Sequence, residues 1–217
     1  MGLPRIPAAK ICAVVLAGGR ATRMGGLDKG LQIFRGQTLA AIALDRLRQQ
    51  TTGAPGLIAI NANRNLATYA SLGVPVWSDS VPDFVGPLAG FLVAMEQCQG
   101  YYDYVLSVPC DSPLFPLDLL ERLAQALCTE QADIAMAMAP DAQEDGSQVL
   151  RPQPVFCLVR SSLLGSLQGF IASDGRKIGA WTASHRQTKV PFNAPGDDPR
   201  AFANANTLDE LHDLEKT

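Results

Sequence analysis

The chain has 217 residues, with 18 lysines and arginines against 21 aspartates and glutamates, a net charge of −3, and 47% hydrophobic residues. That is enough apolar material for a sizeable core, and 18% charged residues without a low-complexity tract exclude a disordered chain. The mildly acidic balance excludes the basic footprint of a nucleic-acid binder, and no apolar stretch approaches the ~20 residues of a membrane span.

Residues 1–10 read as a flexible extension of one domain covering residues 1–217. Arg5 and Lys10 ahead of the apolar run 11–17 imitate a secretory leader, but Gly18-Gly19-Arg20 follows where a cleavage site would stand. A cytoplasmic protein is expected. The run 12–16 is short, partly β-branched and closed by glycine, the pattern of a buried parallel strand. A long loop fills residues 18–30. Thr38 is placed to cap a helix in which Ala40, Ala43, Leu44 and Leu47 recur at helical spacing.

A strand over 57–60 ends in Asn61, a helix covers 66–70, and a strand over 74–77 stops near Asp79, with Pro75 marking it as an edge. Gly86-Pro87-Leu88-Ala89-Gly90 opens a helix that runs through Met95, and a buried strand over 104–108 stops at Pro109, just ahead of Asp111. Pro116 is expected to start a helix carrying Leu119, Leu120, Leu123 and Leu127, before a strand over 134–138 and a polar loop over 140–148. The last third holds a strand near 155–158, a helix near 163–170, the basic pair Arg176-Lys177, and a final helix behind Thr207, which forms a capping box with Glu210. No repeat and no linker interrupts the series. Alternating strands and helices imply a three-layer α/β/α fold around a Rossmann-like, mostly parallel sheet.

In such a sheet ligands bind beyond the carboxyl ends of the strands. Gly18 and Gly19 follow the first strand, Asn61 the second, Asp79 the third and Asp111 the fourth, so four segments should converge on one rim. Five of the thirteen positions from 18 to 30 are glycine, beside Arg20, Arg23 and Lys29. Glycines let backbone N–H groups approach an anion while the cations neutralise it, which suits a polyphosphate better than a merely solvated loop. The spacing fits neither the P-loop nor the dinucleotide fingerprint, which disfavours an NAD-dependent oxidoreductase.

Asp111 lies on a stiff turn between Pro109 and Pro113, suited to a Mg²⁺ ion bridging nucleotide phosphates, or otherwise to capping the next helix. Asp79 and Asn61 can hydrogen-bond a base or ribose, or close turns. Gly86 and Gly90 allow close backbone approach at a helix start, for a phosphate or for packing alone. Arg176 and Lys177 are candidates for a second anionic substrate, and Asn204 and Asn206 for completing a metal or phosphate site. The five cysteines, Cys12, Cys98, Cys110, Cys128 and Cys157, show no metal spacing and read as reduced packing residues.

The string Leu16-Ala17-Gly18-Gly19-Arg20-Ala21-Thr22-Arg23-Met24-Gly25-Gly26-Leu27-Asp28-Lys29-Gly30-Leu31 resembles the signature of the nucleotidyltransferases of the nucleotide-diphospho-sugar transferase fold, and among them the molybdenum cofactor guanylyltransferases. Asn61-Ala62-Asn63-Arg64, Ser78-Asp79-Ser80, Gly86-Pro87-Leu88-Ala89-Gly90, Pro109-Cys110-Asp111 and Phe202-Ala203-Asn204-Ala205-Asn206-Thr207 follow in the family's order, so the resemblance spans nearly the whole chain.

It implies transfer of GMP from GTP to molybdopterin with release of pyrophosphate. It also implies that Leu16, Ala17, Gly18, Lys29, Asn61, Asp79 and Asp111 contact GTP, with Asp111 also holding Mg²⁺. Gly19, Arg23, Gly26, Gly86 and Gly90 belong to the same site, and Arg23, Lys29 and Asp111 are its catalytic residues. Arg176-Lys177 stands where the family often shows two arginines. Molybdoenzyme-specific chaperones are the protein partners this implies. Two alternatives remain at this stage: a cytidylyltransferase on the same pterin, and a carrier that binds GTP or cofactor without turnover.

Overall fold

The first strand decides how the sheet is covered. In the computed structural model, which describes residues 5–18, 27–81, 86–142 and 148–216, strand β1 (Ile11–Leu16) sends Ile11, Ala13 and Val15 to one apolar cluster. Cys12 and Val14 point to the other. The two-residue period of the strand thus feeds two cores, one on each face, which is why its sequence is a continuous apolar run.

Along the chain follow β2 (Ile33–Phe34), β3 (Gln37–Thr38), α1 (Leu39–Arg48), β4 (Leu57–Asn61), α2 (Leu66–Ala70), β5 (Val76–Trp77), α3 (Pro87–Cys98), β6 (Tyr104–Pro109) and α4 (Leu119–Thr129). Then come β7 (Ile134–Ala142), β8 (Gln148–Arg160), α5 (Leu164–Ala172), α6 (Ile178–Thr182), β9 (Gln187–Pro191) and α7 (Leu208–Glu215). The main sheet has the order β5-β4-β1-β6-β8-β7-β9, and β2 pairs with β3 in a small hairpin. β8 runs antiparallel to both neighbours, while the pairs β5–β4, β4–β1, β1–β6 and β7–β9 are parallel.

Helices α1 and α4 cover one face through Ala43, Leu44, Leu47, Leu120, Leu123 and Leu127. Helices α3, α5 and α6 cover the other through Leu88, Phe91, Met95, Leu167 and Trp181. These side chains are almost fully buried, so truncating one of the leucines to alanine should cost about 2–5 kcal/mol. The expected three-layer, mostly parallel α/β/α architecture is therefore the one observed. Among the described residues no helix is long and apolar enough to cross a membrane.

The β2–β3 hairpin, α6 and β9 are elements that the sequence reading does not give; elsewhere local signals act where the sequence placed them, with four differences. Thr38 caps α1 by accepting the Ala41 N–H, and Thr207 caps α7 by accepting the Glu210 N–H. The Glu210 carboxylate, however, takes the N–H of Asn206 at 2.6 Å, one residue before the cap. Helix α4 begins at Leu119, not Pro116: buried Gln50 accepts the Leu120 N–H and donates to the Pro116 carbonyl, holding 116–118 as a turn.

The segment expected as a polar loop over 140–148 is partly strand, with Pro140 opposite Leu150 and Ala142 opposite Gln148. Among the described residues β9 pairs with β7 only as far as Met138, so nothing pairs with Pro140 on that side and its missing N–H breaks no ladder bond. Of residues 1–10, expected as a flexible extension, 5–10 lie against the body and 1–4 fall outside the described residues. Ile6 joins the core and the Gly56 N–H donates to the Ala8 carbonyl.

Candidate active site

The register of the sheet brings the four segments into one line. Leu16 pairs with Asn61 on one side and Pro109 on the other, and Asn61 pairs with Trp77. Four parallel strands therefore end on a single row, and the loops that follow share one rim. Backbone bonds extend the row by one step: Ala17 N–H to Asn61 O, Ala62 N–H to Trp77 O and Cys110 N–H to Leu16 O.

On one side of this rim stands an amide–carboxylate cluster. The Asn61 Nδ2 donates to Asp79 Oδ1 at 2.8 Å and to the Trp77 carbonyl at 3.1 Å. Asn63 grips the same carboxylate, its Nδ2 donating to Asp79 Oδ2 at 2.7 Å while its Oδ1 accepts the Asp79 N–H. Asn61 is buried and Asp79 half-buried, so a partly exposed carboxylate is anchored on a buried amide.

Two glycines make room for it. A Cβ at Gly90 would come within 2.5 Å of Asn61 Oδ1 and 2.6 Å of Leu16 Cδ2, and one at Gly18 within 3.0 Å of Asn61 Oδ1. Gly90 thus lets α3 close against the rim, the packing role that the sequence left open. Gly86 precedes α3 at φ +131°, a conformation reserved for glycine, and Pro87 occupies the first helical position.

On the other side stands a cationic centre. Lys29 Nζ bridges Asp111 Oδ2 at 3.0 Å and Asn206 Oδ1 at 2.8 Å. All three groups come from distant loops, and the Lys29 and Asp111 side chains are only 23% and 18% exposed. The loop around Asn206 is tied to the same turn, since Ala205 N–H donates to the Asp111 carbonyl and Ser112 Oγ donates to Asn204 Oδ1.

This donor set fits a hard divalent cation: two oxygens of a carboxylate and an amide already converge on one positive charge. Mg²⁺ is commonly held by one or two carboxylates plus substrate phosphates. Among the described residues no three acidic, histidine or cysteine side chains form a metal-binding group, so Asp111 would act with substrate oxygens.

Of the residues that the sequence put forward, Leu16, Ala17, Gly18, Lys29, Asn61, Asp79, Gly90, Asp111, Asn204 and Asn206 gather at this rim, with Gly86 at the start of the adjoining helix. Gly19, Arg20, Arg23 and Gly26 lie outside the described residues. Arg176 folds back on Asp174, donating from Nε and Nη2 at 2.9 and 2.6 Å. Cys110 is buried in the core, where burial first, and then Asp111 and Asp28, push its thiol well above the usual cysteine range. A neutral thiol is no nucleophile, so its packing role holds.

Sequence reasoning gives no role to Ser112 or Tyr69, and meets Asp28 and Asn63 only within motifs. Asn63 and Ser112 each stand next but one or next to a named polar residue, a spacing that would have found them. Asp28 and Tyr69 are 41 positions apart, and nothing local joins them.

The sequence model for the MobA-like NTP transferase domain matches residues 13–189. The molybdenum cofactor guanylyltransferase of Albidiferax ferrireducens is 57% identical over 210 residues, covering 97% of this chain and 98% of that protein. Among solved structures, molybdopterin-guanine dinucleotide biosynthesis protein A from Archaeoglobus fulgidus superposes with a TM-score of 0.71 at 20% identity, over 95% of this chain and 97% of that one. The 4-diphosphocytidyl-2C-methyl-D-erythritol synthase of Anaerococcus prevotii gives 0.73 at 11% identity, over 97% and 96%. Both structural likenesses speak for the fold.

Proposed function

The chain belongs to the MobA-like NTP transferase family, and on that footing we propose that it transfers the guanylyl group of GTP to molybdopterin, forming the guanine dinucleotide cofactor and releasing pyrophosphate. Supporting this most directly is the bridge that Lys29 makes between Asp111 and Asn206 at the carboxyl rim of the sheet. A cation facing a carboxylate and an amide oxygen is the arrangement that a polyphosphate and its counter-ion require.

The reaction needs little proton chemistry from the protein. The terminal phosphate of the pterin attacks the α-phosphorus of GTP in line; the new P–O bond forms as the bond to the bridging oxygen breaks, and pyrophosphate carries that electron pair away. The acceptor is already an anionic nucleophile, so the protein's task is alignment and charge stabilisation. Lys29 supplies positive charge to the transferring and leaving oxygens, and Arg23 is assigned the same task.

Asp111, with Asn206 beside it, would hold Mg²⁺, which when bound supplies Lewis-acid polarisation of the phosphoryl oxygens. Asp79, set by Asn61 and Asn63, is assigned to the base or ribose of GTP. Leu16, Ala17 and Gly18 line the phosphates, a role assigned by the family resemblance to Gly19 and Gly26 as well, and Gly86 and Gly90 set α3 against them. Asn204 supports the Asn206 loop through Ser112. One domain carries the whole reaction, and a cytoplasmic setting with hand-over to molybdoenzyme chaperones belongs to the same reading.

The test is pyrophosphate release measured with GTP and with CTP, in the presence and absence of molybdopterin. Release that requires both GTP and the pterin supports the proposal. Preference for CTP would assign the site to cytidylyl transfer, and GTP binding without release would make the chain a carrier.

A further inference from the structure

Lys29 begins a short turn, Lys29–Leu31, whose preceding residue is Asp28. The Asp28 side chain makes no capping bond to that turn. It reaches instead to the neighbouring helix α2, where Tyr69 Oη donates to Oδ1 at 2.5 Å, and to Asn65 just before that helix, whose Nδ2 donates to Oδ2 at 2.9 Å. The turn is closed from its own side by Leu31 N–H and Gln32 Nε2, both donating to the Asp28 carbonyl.

Tyr69 is fully buried, and burial together with the bond to Asp28 lifts its phenol far above the usual tyrosine range, so it stays a donor. Gly30 lies directly on the phenol: a Cβ there would overlap the Tyr69 hydroxyl and stand 3.2 Å from Cε1 and Cζ. Lys29 is thus fixed between two anchors. Its backbone is pressed on α2, and its ammonium reaches 82 and 177 positions along the chain to Asp111 and Asn206.

Resting on the assignment of Lys29 to the transferring phosphate, we propose that the Asp28–Tyr69 hydrogen bond is a positioning device for Lys29, through which α2 acts on the transfer step without touching substrate. A charge-assisted hydrogen bond is short and directional, and it adjoins the residue whose placement matters. A misplacement of about 1 Å at such a site can cost about 10² in rate.

The test uses the full chain and pyrophosphate release from GTP with molybdopterin, alongside melting temperature and GTP affinity. Tyr69→Phe keeps the ring and removes the donor; it should lower kcat about tenfold or more while KM for GTP moves little. Added to Lys29→Ala, the same change should cost nothing further, because Tyr69 acts through Lys29. Fully additive losses, or a normal kcat in Tyr69→Phe, would overturn the proposal.

Gly30→Ala gives an independent arm. It should impair turnover by pushing the turn off the phenol, and Tyr69→Phe in the same chain should restore part of it by clearing the hydroxyl. Gly30→Ala with wild-type turnover would overturn the clamp. If Lys29→Ala itself keeps wild-type kinetics, the assignment of Lys29 fails; if it is inactive while Tyr69→Phe is normal, only the clamp fails.

Discussion

Lys29 Nζ stands 3.0 Å from Asp111 Oδ2, although the two residues are 82 positions apart. Both side chains are mostly shielded, so the pair is less screened than a surface ion pair and is a fixed feature of the rim. It links the glycine-rich loop to the strand end at β6, and Asn206 extends the link to the loop before α7.

Asp111→Asn removes the charge and keeps the shape. Turnover should fall by about 10²–10³, as for other lost electrostatic contacts at a transition state, while the melting temperature changes little. Raising Mg²⁺ should not restore it. Near-normal pyrophosphate release by this variant would remove Asp111 from the metal site.

Asn61→Asp should be more damaging than Asp79→Asn. Asn61 Nδ2 is a donor to both Asp79 Oδ1 and the Trp77 carbonyl, so an aspartate there faces a carboxylate and a carbonyl with nothing to donate. The isosteric change should raise KM for GTP by about tenfold or more and lower stability, because a like charge is placed in a buried site. Steady-state kinetics at neutral pH with thermal melts would show it; a harmless Asn61→Asp contradicts the cluster's role.

Gly90→Ala and Gly169→Ala separate packing from propensity. At Gly90 the new methyl meets Asn61 and Leu16, and overpacking should cost about 1–3 kcal/mol and weaken GTP binding. At Gly169, inside α5, nothing lies within 4 Å, so alanine should stabilise by about 0.5–1 kcal/mol and leave turnover alone. Equal effects at the two positions would contradict the helix α3 contact.

Stability at acid pH should depend on Asp133. The Arg186 guanidinium donates to it from Nε and Nη2, each at 3.0 Å, and holds its carboxyl below the usual carboxylate range. A folded-state pKa lowered in this way contributes stability above the unfolded value of about 3.9, which is lost as pH falls through the folded value. Arg186→Gln should therefore melt lower than the parent at neutral pH, with the gap closing below about pH 4. A gap independent of pH would contradict the assignment.

Elements whose physics is local were readable in the sequence. The run of β1 is apolar at every step, and that of β6 at every step but Ser107, because both faces are covered, and Thr38 and Thr207 cap the helices they precede. The convergence of Asn61, Asp79 and Asp111 on one rim was also readable, since it follows from where parallel strands end.

What was not readable depends on partners far along the chain. Pro140 reads as the opening of a polar loop, yet β7 accepts it because, among the described residues, β9 pairs with β7 only as far as Met138. The start of α4 is set by Gln50, seventy positions from Leu120. Asn206 finds Lys29 across 177 positions, and Tyr69 finds Asp28 across 41, distances at which periodicity and capping carry no signal.

The central claim is guanylyl transfer from GTP at this rim, and it is tested most directly by pyrophosphate release with GTP or CTP, with and without molybdopterin, in the presence of Mg²⁺. The account predicts release with GTP only when the pterin is present, and little with CTP. Release that is faster with CTP, or tight GTP binding with no release in any combination, would contradict it.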